Sequence, residues 1–388
     1  MSAPVTPPSQ STALIGQPGS AARLPTPALV LDLDIFEDSL HAMQSHAARV
    51  GTALRPHAKT HKCAEIARRQ LAAGAIGVCC AKLGEAEVLA AAGIDRILLT
   101  SPVVHPLAIE RLVELRRGTA GLLAVVDDAE NASALDRAMT RAGLDLPVLI
   151  DLDPGFHRTG IPVGDAAVSL ARTIDRAASL SFQGLQMYAG HLMHIERFAE
   201  RRERSLEVMR TLGAFRDRLL GDGLACEIVT GAGTGTFDID PEACVLTDLQ
   251  VGSYAFMDAE YLAIEGRTGA KLPFPPALFV QTTVVSSHHP GLATTDAGLK
   301  AFATDVGRPL PASRLPEGTL PEGTRYFFFG DEHGGVSWRT EGALPLGATL
   351  RAIPPHCDPT FNLYDWLHVI RSDRLVDVWR IDARGCGT

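Results

Sequence analysis

No stretch of this chain approaches about 18 consecutive apolar residues, and its start lacks a basic segment followed by an apolar one. Both absences argue against a membrane span and a secretory signal, so no membrane association and a cytoplasmic location are expected. A long basic run is also missing. The 36 Lys and Arg against 45 Asp and Glu leave a net charge of -9, which gives no electrostatic footprint for nucleic acid. Cysteine is scarce and irregular: seven in 388 residues, an odd number without regular spacing, fit reduced buried thiols rather than a disulfide framework. Nor does G-x-G-x-x-G follow the first strand, which argues against an open dinucleotide-binding sheet.

What is present is enough apolar residue, 46% of the chain, for a large core and either two domains or a barrel with an appendage. Residues 1–24, rich in Pro, Ser, Thr and Gln, read as a flexible arm. From Thr26 short apolar runs alternate with helix-period stretches. The runs are Leu54–Lys59, Ile76–Lys82, Arg96–Thr100, Leu122–Asp127, Pro147–Asp153, Phe182–Tyr188, Glu227–Gly231 and Asp248–Gly252. Helical spacing falls at Cys63–Ala73, Gly84–Ala92, Pro106–Arg117, Ala129–Ala142, Asp165–Ala178 and Ile195–Leu220. Eight such units predict an α/β fold, a (β/α)8 TIM-like barrel over residues 25–256. Beyond Phe256 the pattern becomes short strands punctuated by Gly and Pro, a C-terminal β-rich domain over 257–388. The run Ala28–Leu33 fits either domain.

A parallel barrel displays its chemistry at the C-terminal ends of its strands. Lys59 ends the first strand, in Arg55-Pro56-His57-Ala58-Lys59-Thr60-His61-Lys62. A lysine whose pKa is lowered by neighbouring cations can form a Schiff base with pyridoxal phosphate, although the same residues also describe an ordinary basic loop. Arg158 follows the fifth strand, and Tyr188 and His191 follow the sixth. Beside an anchoring lysine they acquire roles: a guanidinium can hydrogen-bond a cofactor's phenolate, and an aromatic ring or imidazole such as His57 can pack on or orient its ring. After the seventh strand comes Thr230-Gly231-Ala232-Gly233-Thr234-Gly235-Thr236, whose glycines permit close backbone approach and whose threonines add hydroxyl donors. It suits a phosphate.

A second constellation, Pro355-His356-Cys357-Asp358-Pro359, lies in the β-rich half. If the segment is extended, His356 and Asp358 share a face and Cys357 points away. An imidazole and a carboxylate with room for water suit Mn²⁺, Mg²⁺ or Co²⁺ better than structural zinc.

The motifs Pro56-His57-Ala58-Lys59-Thr60-His61-Lys62-Cys63, Gly77-Val78-Cys79-Cys80-Ala81-Lys82, Gly231-Ala232-Gly233-Thr234-Gly235, Gly252-Ser253-Tyr254-Ala255-Phe256-Met257-Asp258, Asp296-Ala297-Gly298-Leu299-Lys300, Asp331-Glu332-His333-Gly334 and Pro355-His356-Cys357-Asp358-Pro359-Thr360 occur in this order. From about Leu24 to the C-terminus the chain thereby resembles the D-threonine aldolases and D-3-hydroxyaspartate aldolases, fold-type III pyridoxal-phosphate enzymes with an alanine-racemase-like barrel. The resemblance implies Lys59 as the Schiff-base lysine, with His57, Arg158, Tyr188 and Tyr254 around the cofactor. It places Thr230, Gly233, Thr234, Gly235 and Thr236 at its phosphate, and His356 with Asp358 on a divalent cation, Mn²⁺ first among the candidates. The implied substrate is a small D-β-hydroxy-α-amino acid, cleaved to glycine and an aldehyde by a homodimer, with Lys59 and His191 as catalytic groups. Departures from the family's pattern at Ala81, Thr159 and Ala189-Gly190-His191 imply an altered substrate pocket. Related dehydratases use a His-x-Cys zinc pair; Asp at position 358 favours the aldolases. A dehydratase of D-serine or D-threo-3-hydroxyaspartate is the alternative, followed by a non-catalytic pyridoxal-phosphate carrier, against which the second domain argues.

Overall fold

The computed structural model describes residues 7–312, 320–340 and 342–388. Eight short parallel strands, Ala53–Leu54, Val78–Cys80, Ile97–Leu99, Leu123–Val126, Leu146–Asp153, Leu180–Met187, Ile228–Gly231 and Asp248–Leu249, lie side by side in chain order. Beyond Leu54 the first strand's path closes the ring. His57 bridges Cys79 in parallel, the Cys79 N–H donates to the Pro56 carbonyl and the Ala58 N–H to the Cys79 carbonyl, each at 2.8 Å. The strands are mostly apolar because helices cover one face and side chains fill the other, as at the fully buried Ile97, Leu98 and Leu99.

Six units carry helices where the spacing indicates: Ala64–Ala72, Leu83–Ala91, Pro106–Gly118, Ala129–Ala142, Asp165–Asp175 and Phe198–Gly221. The seventh strand is followed by a single 3-10 turn, Asp240–Ala243, and the eighth by the 3-10 turn Ser253–Ala255 and one short helical segment, Ala259–Ala263. The glycine run after the seventh strand cannot sustain a helix. The cover missing there comes from upstream, from a helix over Leu33–Val50. Asp32 caps it by accepting from the Ile35 N–H at 3.3 Å, and Gly51 ends it at φ 73°. Phe36, Leu40, Met43 and Ala47 form its buried stripe, with Phe36 stacked on Phe256 at 5.7 Å.

The strand before this helix resolves the placement that the sequence left open. Ala28–Asp32 runs antiparallel to Leu278–His289 and parallel to Trp366–Arg371, so it belongs to the second sheet. That sheet also contains Leu292–Thr295, Arg325–Phe328, Gly334–Ser337, Thr349–Ile353 and Arg374–Arg380. The β sheet therefore takes a strand from before the barrel in sequence, one that lies within the 25–256 range expected of the barrel. Within the segment read as an arm, Ser9–Thr12 is a helical turn and Ser20–Arg23 a 3-10 turn. Ser11 Oγ lies 3.0 Å from His368 Nε2, and Ser20 Oγ accepts from the Leu375 N–H at 2.8 Å, so residues from Ser11 onward are fastened to the sheet. Residues 1–6 of that arm lie outside the described residues. No helix among the described residues is long and apolar enough to cross a membrane.

One element of the β domain positions the site. A short helix, Cys357–Phe361, brings Asp358 to Lys59 at the barrel mouth. Phe361 packs edge-on to Phe256 at 4.9 Å, and Lys62 donates to Asn362 Oδ1 at 3.1 Å while pairing with Glu85 at 3.3 Å.

Candidate active site

At the C-terminal mouth of the barrel lies a cavity of about 560 Å³, a size suited to a cofactor. Lys59, His57, Arg158 and Tyr188 all line it, together with Lys82 and Gln186. Four residues from three separated strand ends thus meet as the sequence predicts. The turn that carries Lys59 is fixed on both sides: Thr60 and His61 are fully buried, and Lys62 adopts φ 52°.

The Lys59 ammonium ion-pairs with Asp358 of the β domain. Its side chain is 39% exposed, and that surface opens on the cavity. Burial disfavours the charged amine, but the Asp358 carboxylate outweighs it and holds the lysine pKa above its ordinary value. The Asp358 carboxyl responds reciprocally: burial opposes its ionisation, Lys59 overcomes that, and its pKa falls.

His57 is buried beneath the mouth, with Nε2 3.1 Å from Thr100 Oγ1 and Nδ1 accepting from the Lys59 N–H at 3.4 Å. Burial first, and the Lys59 charge second, keep this imidazole neutral by lowering its pKa well below the usual value. The Arg158 guanidinium stands 5.4 Å from the centre of the Tyr188 ring, a cation–π distance. Asp151 sits below them, accepting from Gln186 at 2.9 Å and from Thr159 at 2.8 Å. Burial pushes its carboxyl up to about 6 against those two hydrogen bonds.

The glycine-rich loop closes another side of the mouth. A Cβ at Gly233 would stand 2.6 Å from Met193 Sδ and 3.2 Å from Tyr188 Cε2, and one at Gly235 would strike the Met193 carbonyl, so only glycine fits. Thr234 Oγ1 accepts from the Tyr254 N–H at 3.0 Å and keeps its own hydrogen to donate. Thr236 Oγ1 donates to Asp240 at 2.7 Å. Two residues of the predicted cofactor set are engaged elsewhere. Thr230 faces the barrel interior and donates to Asp248 at 2.7 Å, while the buried Tyr254 ring packs against Phe274 at 5.8 Å and meets the loop only through its backbone.

The segment around Asp358 is not extended, as the sequence reading supposed. His356 has extended angles, but Cys357 already begins the helix, so His356 and Asp358 are not alternate residues of a strand. They still stand close enough for the His356 charge to favour ionised Asp358. Cys357 is fully buried, and its N–H donates to Asp258 at 2.9 Å. His356 Nδ1 lies 2.7 Å from Asp305 Oδ2. A carboxylate on Nδ1 sets the tautomer that leaves Nε2 free to ligate, the arrangement that supports metal-binding histidines. No group of three or more His, Cys, Asp or Glu among the described residues could hold a metal by itself. A cation held by His356 and Asp358 would therefore need the rest of its sphere from water and substrate.

His191 lies elsewhere. Its ring stacks on Phe156 at 5.2 Å and lines a separate cavity of about 290 Å³ with Asp153, Arg204 and Glu207. One turn on, His194 packs on Tyr261 at 4.6 Å and lies within the fields of Asp258, His356, Asp358 and Lys59. Burial is the main cause of its lowered pKa. The sequence reading singled out His191 and missed His194, although the two share His191-Leu192-Met193-His194; the 3-10 turn Gly190–Leu192 separates their surroundings.

With this geometry established, comparison with known proteins is informative. Residues 31–260 match the family "Alanine racemase, N-terminal domain" and residues 277–370 the "Putative serine dehydratase domain". The chain is 42% identical to a D-threonine aldolase of Arthrobacter sp over 371 residues, 95% of each chain. It is 36% identical to a 3-hydroxy-D-aspartate aldolase of Paracoccus denitrificans over 370 residues, 94% of each. The crystal structure of a D-threonine aldolase from Filomicrobium marinum superposes with a TM-score of 0.89 at 39% identity, covering 95% of this chain and 97% of that one. Barrel, β domain and relatives agree: this chain belongs to the family of D-threonine and 3-hydroxy-D-aspartate aldolases, lyases built on the alanine-racemase fold.

Proposed function

We propose that this enzyme cleaves the Cα–Cβ bond of D-β-hydroxy-α-amino acids, D-threonine among them, to give glycine and an aldehyde. The proposed cofactors are pyridoxal phosphate anchored on Lys59 and a divalent cation, Mn²⁺ first among the candidates, held by His356 and Asp358. The observation that carries the reading is the meeting of Lys59 from the barrel with Asp358 from the β domain of the same chain. When bound, pyridoxal phosphate supplies an electron sink for the breaking bond, and the cation supplies a Lewis acid for the β-hydroxyl.

The chain's own residues do the rest. Gly233, Thr234, Gly235 and Thr236 would receive the phosphate, Tyr188 and neutral His57 would flank the ring, and Arg158 would bond its phenolate oxygen. Asp358 holds Lys59 protonated; when that pairing is lost the amine's pKa falls and a nucleophile is released. His194, kept neutral chiefly by burial, is placed to take the β-hydroxyl proton. This role stands in place of the one that the family resemblance implied for His191. His194 lies in the fields of both proposed cation ligands, His356 and Asp358, so proton acceptor and cation would act on the same β-hydroxyl and favour one configuration at Cα. The reading includes a cytoplasmic homodimer. Its seven cysteines are all free thiols, and Val104, Leu107 and Phe156 leave apolar surface exposed on loops and a helix start beyond the strand ends.

The test is product stoichiometry. Holoenzyme with Mn²⁺ and D-threonine is expected to give glycine and acetaldehyde in equal amounts and to leave L-threonine intact. Ammonia in stoichiometric yield would instead establish elimination.

A further inference from the structure

We propose that Arg201 is a positioning residue for the cofactor's phosphate: it holds the glycine-rich loop from behind and sets a fixed positive charge there. The inference rests on the reading of that loop as the phosphate site.

Arg201 lies in the first turn of the helix Phe198–Gly221 and is fully buried, heading the largest such side chains among the described residues. Among the described residues no carboxylate forms an ion pair with it. Its donors go to backbone carbonyls: Nε to Gly235 at 2.7 Å, one terminal nitrogen to Ile195 and to Glu196 at 3.3 Å, and the other to Glu265. One turn along the same helix face, Ser205 donates to Asp240, whose other oxygen accepts from Thr236 Oγ1 at 2.7 Å. Residues 201 and 205 therefore hold both ends of the segment Gly235–Thr236 from a single helix.

A staple between backbone carbonyls needs donors, not charge, and a buried guanidinium whose nearest carboxylates, Asp238 and Glu265, act on it only from beyond ion-pair contact is costly. The charge has a use if an anion occupies the other side of the loop. With its oxygen committed to Arg201, the Gly235 carbonyl cannot turn toward that anion. The Thr234 and Gly235 N–H groups have no acceptor among the described residues, and Thr234 Oγ1 retains a hydrogen to give. The loop thus offers donors at its front and a buried cation at its back, the pattern of a phosphate nest.

The experiment compares two aldehydes that differ only in the phosphate. Full-length protein stripped of cofactor is titrated with pyridoxal phosphate and with pyridoxal, reading visible absorbance and borohydride trapping. In Arg201→Gln the Kd for pyridoxal phosphate should rise roughly 10- to 100-fold, the scale of a charge-assisted bond, with that for pyridoxal unchanged. Arg201→Lys, which keeps charge but not the planar fork, should recover part of the preference. Equal weakening of both aldehydes would show a merely structural residue and overturn the proposal. Thr234→Ala separates the two levels of the argument. If it leaves the preference intact, the loop does not bind the phosphate; if it reduces the preference while Arg201→Gln does not, only the role of Arg201 is lost. Should Arg201→Gln not fold, Ser205→Ala reports on the second tether and must show the same selective loss, in smaller degree, for the proposal to stand.

Discussion

At the glycine-rich end of the barrel mouth the parts are already in their working places. The Gly235 carbonyl is tied to Arg201, Thr236 to Asp240 and Thr234 to the Tyr254 backbone. At the other end both candidate cation ligands are engaged with protein partners, Asp358 with Lys59 and His356 with Asp305. Under the proposed function the first end is preorganised, and the second would be assembled as Lys59 leaves its carboxylate. The difference teaches that Lys59 belongs to both ends, and that loading one end alters the other through it.

The most severe way to break this comparison is Lys59→Ala, which removes the shared residue. It should abolish the borohydride-trapped chromophore and lower cleavage by roughly 10⁴-fold or more. Peptide mapping that finds the trapped cofactor on Lys62 or Lys82 would refute the anchor. The histidines sharpen the second end. His194→Ala should lower kcat by roughly 10²- to 10⁴-fold with the chromophore intact, while His191→Ala changes it far less. The reverse ranking would return the proton-transfer role to His191. Asp305→Ala should weaken cation affinity by roughly 10- to 100-fold, read by Mn²⁺ titration of activity; unchanged affinity would mean that His356 needs no orienting carboxylate.

The smallest effect concerns the preorganised end. Burial pushes the Asp240 carboxyl from 3.8 up to about 7, opposed by Ser205 and Thr236. The folded protein then keeps a proton that the unfolded chain releases across this window, so stability falls as pH rises from about 4 to about 7 and levels off above. Asp240→Asn lacks the titration. Its melting temperature relative to the parent should therefore increase across that window, and a difference that does not vary with pH would contradict the assignment.

Much of this was legible in the sequence because a barrel converts chain order into spatial order. Lys59, Arg158, Tyr188 and the loop Gly231–Thr236 each follow a strand, so their meeting at one mouth needed only the strand count. What was not legible depended on local turns and distant packing. Beside a 3-10 turn three residues long, His191 lines a separate cavity while His194 lies in the field of Lys59. A helix starting at Cys357 replaces the extended geometry inferred for His356 and Asp358. Asp305, far from both in sequence, carries no motif, and neither does Arg201, whose surroundings are backbone carbonyls rather than charges. The helix Leu33–Val50 is missing from the helices expected from the sequence, and the strand before it, Ala28–Asp32, joins a sheet whose other members lie beyond residue 277.

The separation between a preformed cofactor end and an assembled cation end is tested most directly by Asp358→Ala, reconstituted with pyridoxal phosphate and Mn²⁺ and followed in one cuvette for visible absorbance and aldehyde release. With its counter-ion gone, Lys59 loses the interaction that raises its pKa and should form the chromophore at least as readily as before, while cleavage of D-threonine falls by roughly 10³-fold. A chromophore lost together with activity, or cleavage retained without Asp358, would contradict the account.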